Sequence, residues 1–210
     1  MSVGGRINYF TDPAFLSFDN RAGILRSRGG TRMLGVSEDF LRGFVDACEY
    51  ETGQATPGIL RRCGEFFGRR LALWFERELS QHAGVSLRER AMIEFSLLIH
   101  DMWRGLGLGV LEIDWRRGDR GLIGVTLTDS AMSRVGVESH VGEDMFEGIL
   151  EGFFANFCDG PVACAQTGDA RLGDKSGTTF VITTPARVDR IRALRDDGAS
   201  HEEVLEAIGG

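Results

Sequence analysis

The chain has 210 residues, 42% of them hydrophobic and 26% charged, with a formal net charge of −7 and a pI near 5.2. That length suits one domain with a real core, which needs no disulfide or metal staple. The acidic balance argues against nucleic acid as a partner, because binding to phosphates needs concentrated positive charge.

Lys175 is the only lysine, so 23 of the 24 basic residues are arginine. High-GC codon usage explains such a bias; the functional reading is planar, bidentate recognition of carboxylates. The four cysteines, Cys48, Cys63, Cys158 and Cys164, include no CxxC pair. With no apolar h-region at the N-terminus, free thiols in a reducing cytoplasm are the expected state. No apolar run approaches 18 residues, so no membrane span is expected.

In chain order, residues 1–22 read as an irregular arm with Pro13 and scattered aromatics (Tyr9, Phe10, Phe15, Phe18). Residues 23–34 read as a hairpin turning at Gly29-Gly30, where positive φ is required. Ser37 caps a first helix with Phe40, Leu41, Phe44, Val45 and Cys48 on its apolar face, and Gly53 stops it. Thr56-Pro57 opens a second helix whose apolar positions are Ile59, Leu60, Cys63, Phe66, Phe67, Leu71 and Trp74. Gly64 and Gly68 share one of its faces. Glycine inside a helix costs about 1 kcal/mol relative to alanine, so the pair suggests close approach of another backbone or of a ligand.

Ser86-Leu87-Arg88-Glu89 is a capping box for a third helix, running to about Trp103. A polar turn at 116–120 then joins strands 107–115 and 122–128 in an antiparallel hairpin, with Leu111, Ile113 and Trp115 on one face. Residues 143–158 read as a fourth helix with Met145, Phe146, Ile149, Leu150, Phe153, Phe154 and Phe157 inward; Gly148 and Gly152 repeat the four-residue glycine spacing. Strands at 161–167 and 178–184 flank a long polar loop, 168–177. A helix from Ala186 and a second capping box, Ser200-His201-Glu202-Glu203, form the tail. The reading is therefore α/β of the α+β type: an antiparallel sheet of about four strands packed with several helices, an arm (1–22), a main domain (23–185) and a C-terminal helical appendage (186–210).

Three segments carry a family resemblance: Gly148-Ile-Leu-Glu-Gly152-Phe-Phe, Cys164-Ala-Gln-Thr-Gly168-Asp169 and Phe180-Val-Ile182. Together they resemble the C-terminal core of the 4-vinyl reductase domain family. Ile59-Leu-Arg-Arg-Cys-Gly64-Glu-Phe-Phe-Gly68 resembles that family's second helix, and 194–205 resembles the tail of some stand-alone bacterial members. The resemblance covers roughly residues 23–208, in pattern more than in identity. It implies a fold related to subunits of the TRAPP vesicle-tethering complex and to haem-based nitric-oxide sensors. It also implies a homodimer that senses ligands or serves as an accessory protein in tetrapyrrole and photosystem pathways. Metal-binding members hold zinc with a cysteine, a glutamate and two later cysteines. Here those places fall on Glu143, Pro161, Cys164 and Thr178, and one or two ligands cannot make a tetrahedral structural zinc site. No metal and no cofactor is expected.

The polar residues form no clear catalytic set. Cys164, on a predicted buried strand, reads as a structural thiol, and so does Cys63. His82, His100, His140 and His201 make no metal-ligand pair; His100-Asp101 near Trp103 would suit a cavity mouth, although a locally satisfied helix-end histidine is the favoured reading. Glu112 and Asp114 share a strand face, and Arg61, Arg62, Arg69 and Arg70 form a basic patch on the second helix. Gly173-Asp174-Lys175-Ser176-Gly177 lacks the spacing and the following helix of a phosphate loop.

Three functions follow in order of preference. The first is a dimeric module binding a small hydrophobic, aromatic or tetrapyrrole-like ligand, in a pocket walled by the glycine-spaced helices and lined by Cys63, Phe66, Phe67, Trp74, His100, Trp103, Met145, Phe153 and Cys164. The second is a TRAPP-like interaction adaptor with a packed core and a separate protein partner. The third, a reductase of tetrapyrrole metabolism, rests on the family's name alone.

Overall fold

The computed structural model describes residues 9–83, 87, 91–131, 143–169 and 177–210. Ser86, Arg88 and Glu89 of the capping box, His140, residues 170–176 of the polar loop and most of the 173–177 segment lie outside the described residues.

Two antiparallel sheets organise the described residues. The smaller is a meander of β1 (Leu16–Asp19), β2 (Ile24–Ser27) and β3 (Arg32–Met33). The expected hairpin is present, with Leu25 opposite Met33, but the segment before it is not wholly irregular: Leu16 pairs with Ser27 and Phe18 with Leu25. The two turn glycines do different things. Gly30 has φ +84, as its turn requires, whereas Gly29 lacks a side chain because a Cβ there would meet the Glu78 carboxylate.

The larger sheet joins β4 (Val110–Asp114), β5 (Ile123–Thr128), β7 (Thr178–Thr183) and β6 (Ala163–Gly168) in the order β4-β5-β7-β6. Leu111 faces Leu127 across the β4–β5 hairpin, and Cys164 faces Ile182 across β6–β7. The period-two alternation divides two cores. Cys164, Phe180 and Ile182 join the main core with the long helices, while Ala163, Ala165 and Val181 point to the opposite face. There they meet α5 (Val188–Asp196) and α6 (His201–Gly209) through Val188, Ile191, Val204, Leu205 and Ile208. The tail helices are thus a second layer that covers the sheet. Coverage on both faces makes all of β7 buried.

Helix α1 (Glu38–Thr52) begins at Ser37, whose side chain accepts from the Phe40 amide, and ends at Gly53. Of its apolar face only Val45 is buried, with Leu41 and Cys48 partly so. Phe40 and Phe44 are exposed, since no described residue covers the outer side of α1. Helix α2 (Thr56–Ala83) spans 28 residues, about 42 Å at the standard helical rise. Helix α3 runs from Met92 to Gly105, and α4 from Asp144 to Phe154. Helix α4 is shorter than its apolar pattern suggested, because the chain turns tightly after Phe154, with the Phe157 and Cys158 amides donating to the Phe154 carbonyl at 2.9 and 3.1 Å.

Helices α2 and α4 pack backbone to backbone. An added Cβ at Gly64 or Gly68 would fall on the carbonyl of Met145 or Ile149, and one at Gly148 or Gly152 on that of Arg61 or Glu65. The two glycine pairs therefore serve each other. The arm is held to α2 by the buried Glu78, which accepts from Tyr9 Oη (2.6 Å), Ser27 Oγ (2.8 Å), Thr31 Oγ1 (3.0 Å) and the Gly29 amide (3.1 Å). Behind this clasp Phe10 stacks on Phe75 with ring centroids 5.6 Å apart. Among the described residues no helix is long and apolar enough to cross a membrane.

Candidate functional site

The positions read from sequence as pocket-lining do not converge. Trp74, Trp103, Phe153 and Cys164 are buried in the packed main core. Cys63, His100 and Met145 are half-buried. Phe66 and Phe67 face outward instead, 56% and 41% exposed, because the inward face of α2 at that level is occupied by its glycines against α4. The expected glycine-walled pocket is thus filled by the partner helix.

Two of the polar members, His100 and Cys164, have structural jobs. His100 Nδ1 lies 2.9 Å from the Leu111 carbonyl, and since a carbonyl only accepts, that nitrogen carries the proton and ties α3 to β4. Burial pushes the Cys164 thiol well above its ordinary range, the opposite of what a nucleophile needs. Its backbone is held by charge: the carbonyl accepts from Arg61 Nη2 at 3.1 Å and the amide donates to Glu151 at 3.2 Å. Arg61 also pairs with Glu147 and, at 2.5 Å, with Glu151, while Arg192 reaches Glu147 at 2.9 Å. Arg61 therefore leaves the basic patch and turns inward; Arg62 and Arg69 stay outside, on Glu65. Asp114 pairs with Arg116 at 2.7 Å, and hydrogen bonds from Arg116 hold its carboxyl below the usual range.

Of the four positions compared with zinc ligands, Glu143 and Thr178 do meet, at 3.5 Å, and Ser130 Oγ donates to Glu143 at 3.0 Å. These are hydroxyl–carboxylate hydrogen bonds, and a hydroxyl, a carboxylate and a proline are not a zinc donor set. Among the described residues no three or more His, Cys, Asp or Glu side chains gather as a metal would need.

The concave sites lie elsewhere. A pocket of about 390 Å³ opens where α3, the β4–β5 hairpin and the end of α4 meet. Helix α3 supplies Met92 and Phe95, the hairpin Trp115 and Ile123, and the α4 end Phe154, Phe157, Cys158 and Asp159, with Leu87 completing the lining. Its aromatic rings touch one another: Phe95–Phe157 at 5.0 Å, Phe95–Trp115 at 6.3 Å and Trp115–Phe154 at 6.2 Å. Trp115 Nε1 donates to Ser96 Oγ at 2.6 Å, and Ser96 donates to the Met92 carbonyl at 2.9 Å, so the indole is fixed in place. The tight turn after α4 is what swings Phe157 and Asp159 to this spot. Periodicity turns Phe154 and Phe157 inward and puts Trp115 on a strand face with Leu111 and Ile113; no spacing rule shows that such residues leave a gap between them.

A second cleft, about 820 Å³, lies between the N-terminal ends of α2 and α4, the end of β6 and the α5–α6 junction. Arg61, Arg192, Arg195, Asp144, Glu147 and Asp169 line it with mixed charge. Its innermost arginine, Arg61, is already paired with Glu147 and Glu151.

No protein-family profile and no curated protein sequence matches this chain. Solved structures do. The phenol-responsive sensory domain of the transcription activator PoxR, crystallised with phenol, superposes with a TM-score of 0.68 at 14% identity, over 92% of this chain and 96% of that one. A trafficking protein particle complex subunit 3 from Naegleria fowleri, covalently bound to palmitic acid, superposes with a TM-score of 0.49 at 12% identity, over 70% of this chain and 93% of that one. The chain shares the fold of the sensory domain along nearly its whole length.

Proposed function

We propose that this chain is a non-catalytic, small-molecule-binding domain of the 4-vinyl reductase type that takes a small hydrophobic or aromatic ligand in the pocket beside α3. The observation that carries the reading is the lining, in which four aromatic rings surround a concavity large enough for a single-ring ligand. The shared fold with a phenol-responsive domain supports it by analogy. A pocket of about 390 Å³ favours a single-ring ligand over a tetrapyrrole. A homodimer is part of the proposal: the outward Phe66, Phe67 and Leu73 of α2 are the kind of surface that a second subunit covers. The same residues favour the runner-up, an interaction adaptor that binds a separate protein through this face.

The test is a titration of the purified protein with phenol and other neutral single-ring aromatics, followed by calorimetry and by native mass. Saturable one-site binding supports the ligand reading. No heat with any of them, together with a stable complex with another protein through α2, supports the adaptor instead.

A further inference from the structure

Resting on the pocket reading above, we propose that the preferred ligand is a small organic cation, an ammonium group on an aromatic or alkyl body, bound by the rings of Phe95, Trp115, Phe154 and Phe157 with Asp159 at the rim. Three observations converge on this class. First, the walls are π surface. The indole N–H of Trp115 is already committed to Ser96 at 2.6 Å, so this ring brings aromatic surface to the lining and no free donor. Aromatic faces carry negative potential and attract cations within about 6 Å. Second, the described lining contains no basic side chain, and its one charged group is the carboxylate of Asp159. Asp159 and Met92 are its exposed members, which puts the charge at the mouth, and no described residue forms an ion pair with Asp159. Third, the remaining titratable group is silent: burial, and then Asp159 itself, raises the Cys158 thiol, so it stays neutral at neutral pH. A carboxylate beside an uncharged aromatic wall discriminates by charge. It attracts an ammonium and repels a carboxylate or phenolate of the same size. The chain's net charge of −7 adds a weak long-range pull of the same sign.

Benzylamine, protonated at neutral pH, and benzyl alcohol, its uncharged near-isostere, separate this inference from the reading on which it rests. Calorimetric titration of the full chain at low salt is expected to give benzylamine about tenfold the affinity of benzyl alcohol, a preference that shrinks as salt is added. Asp159→Asn, checked for folding by its thermal unfolding curve, is expected to bring the ratio of the two affinities close to one. Benzyl alcohol binding as tightly as benzylamine, or an undiminished amine preference in Asp159→Asn, overturns the cation assignment and leaves the pocket standing. Failure of both compounds to bind overturns the pocket reading and this inference with it.

Discussion

Gly148→Ala tests the backbone contact between α2 and α4, the contact that fixes where the pocket is not. The added methyl would lie on the Arg61 carbonyl oxygen, with the Glu65 amide nitrogen 2.8 Å away and the Arg61 carbonyl carbon 2.9 Å away. All three are backbone atoms of one helix, so relief requires moving α2 bodily, and overpacking of this kind costs about 3 kcal/mol. Alanine's higher helix propensity returns about 1 kcal/mol. The net loss is about 2 kcal/mol, and for a chain of this size it lowers Tm by about 4–8 °C. Gly43→Ala is the internal control. Gly43 sits mid-helix in α1 with nothing within 4 Å of an added Cβ, so propensity acts alone and stabilises by up to about 1 kcal/mol. Both variants are read by circular dichroism during thermal and urea unfolding. If Gly148→Ala is neutral or stabilising like Gly43→Ala, the two helices do not touch through their glycines and the packing argument fails.

Three further outcomes follow from the arm, the tail and the core. Glu78→Gln keeps the shape but loses the charge that four donors share, and should cost about 2–4 kcal/mol and expose the arm to limited proteolysis; an arm that stays protected would contradict the clasp. Burial raises the Glu78 pKa, but the hydrogen bonds from Tyr9, Ser27, Thr31 and Gly29 outweigh it, and the net direction is down from 4.5. A depressed carboxyl pKa contributes stability above the unfolded value and loses it as pH falls through the folded one. Wild type should therefore show an acid loss beginning near pH 4.5 that is smaller in Glu78→Gln. Ser200→Ala removes the side-chain half of a complete capping box and should cost about 1 kcal/mol, visible as faster amide exchange in α6 with no change elsewhere. Cys164→Ala should leave any ligand affinity unchanged while lowering stability by about 1 kcal/mol or more, since the thiol is buried and unreactive; a loss of binding would give Cys164 a role that its burial denies.

Much of the architecture could be read from local chemistry. Ser37, Gly53 and the Ser200–Glu203 box marked helix ends that the structure keeps, and the alternation at Leu111 and Ile113 announced the β4–β5 hairpin. The four-residue glycine spacings correctly signalled close approach, but a sequence cannot say whether a helix or a ligand is the neighbour, and here each pair answers the other. Phe66 and Phe67 illustrate the limit of periodicity. They sit at apolar positions of α2, yet α4 comes so close at Gly64 and Gly68 that the adjoining positions are left outside. Glu78 was legible only as one charge among many, because nothing local tells that Tyr9, 69 residues away, will bond to it. The pocket beside α3 was hidden for a different reason: Phe154 and Phe157 obey the inward pattern of their helix, and a gap between core residues is a property of packing, not of order along the chain.

The most direct test of the account is a calorimetric titration of single-ring aromatics, neutral and cationic, against wild type, Ile123→Trp and Met92→Trp. Ile123, half-buried on β5, and Met92, at the exposed mouth, each line the pocket from a different side, so an indole at either position fills it. The account expects one-site binding by wild type and its loss in both folded variants. Binding that survives both substitutions, or none in wild type, would place the function outside this pocket.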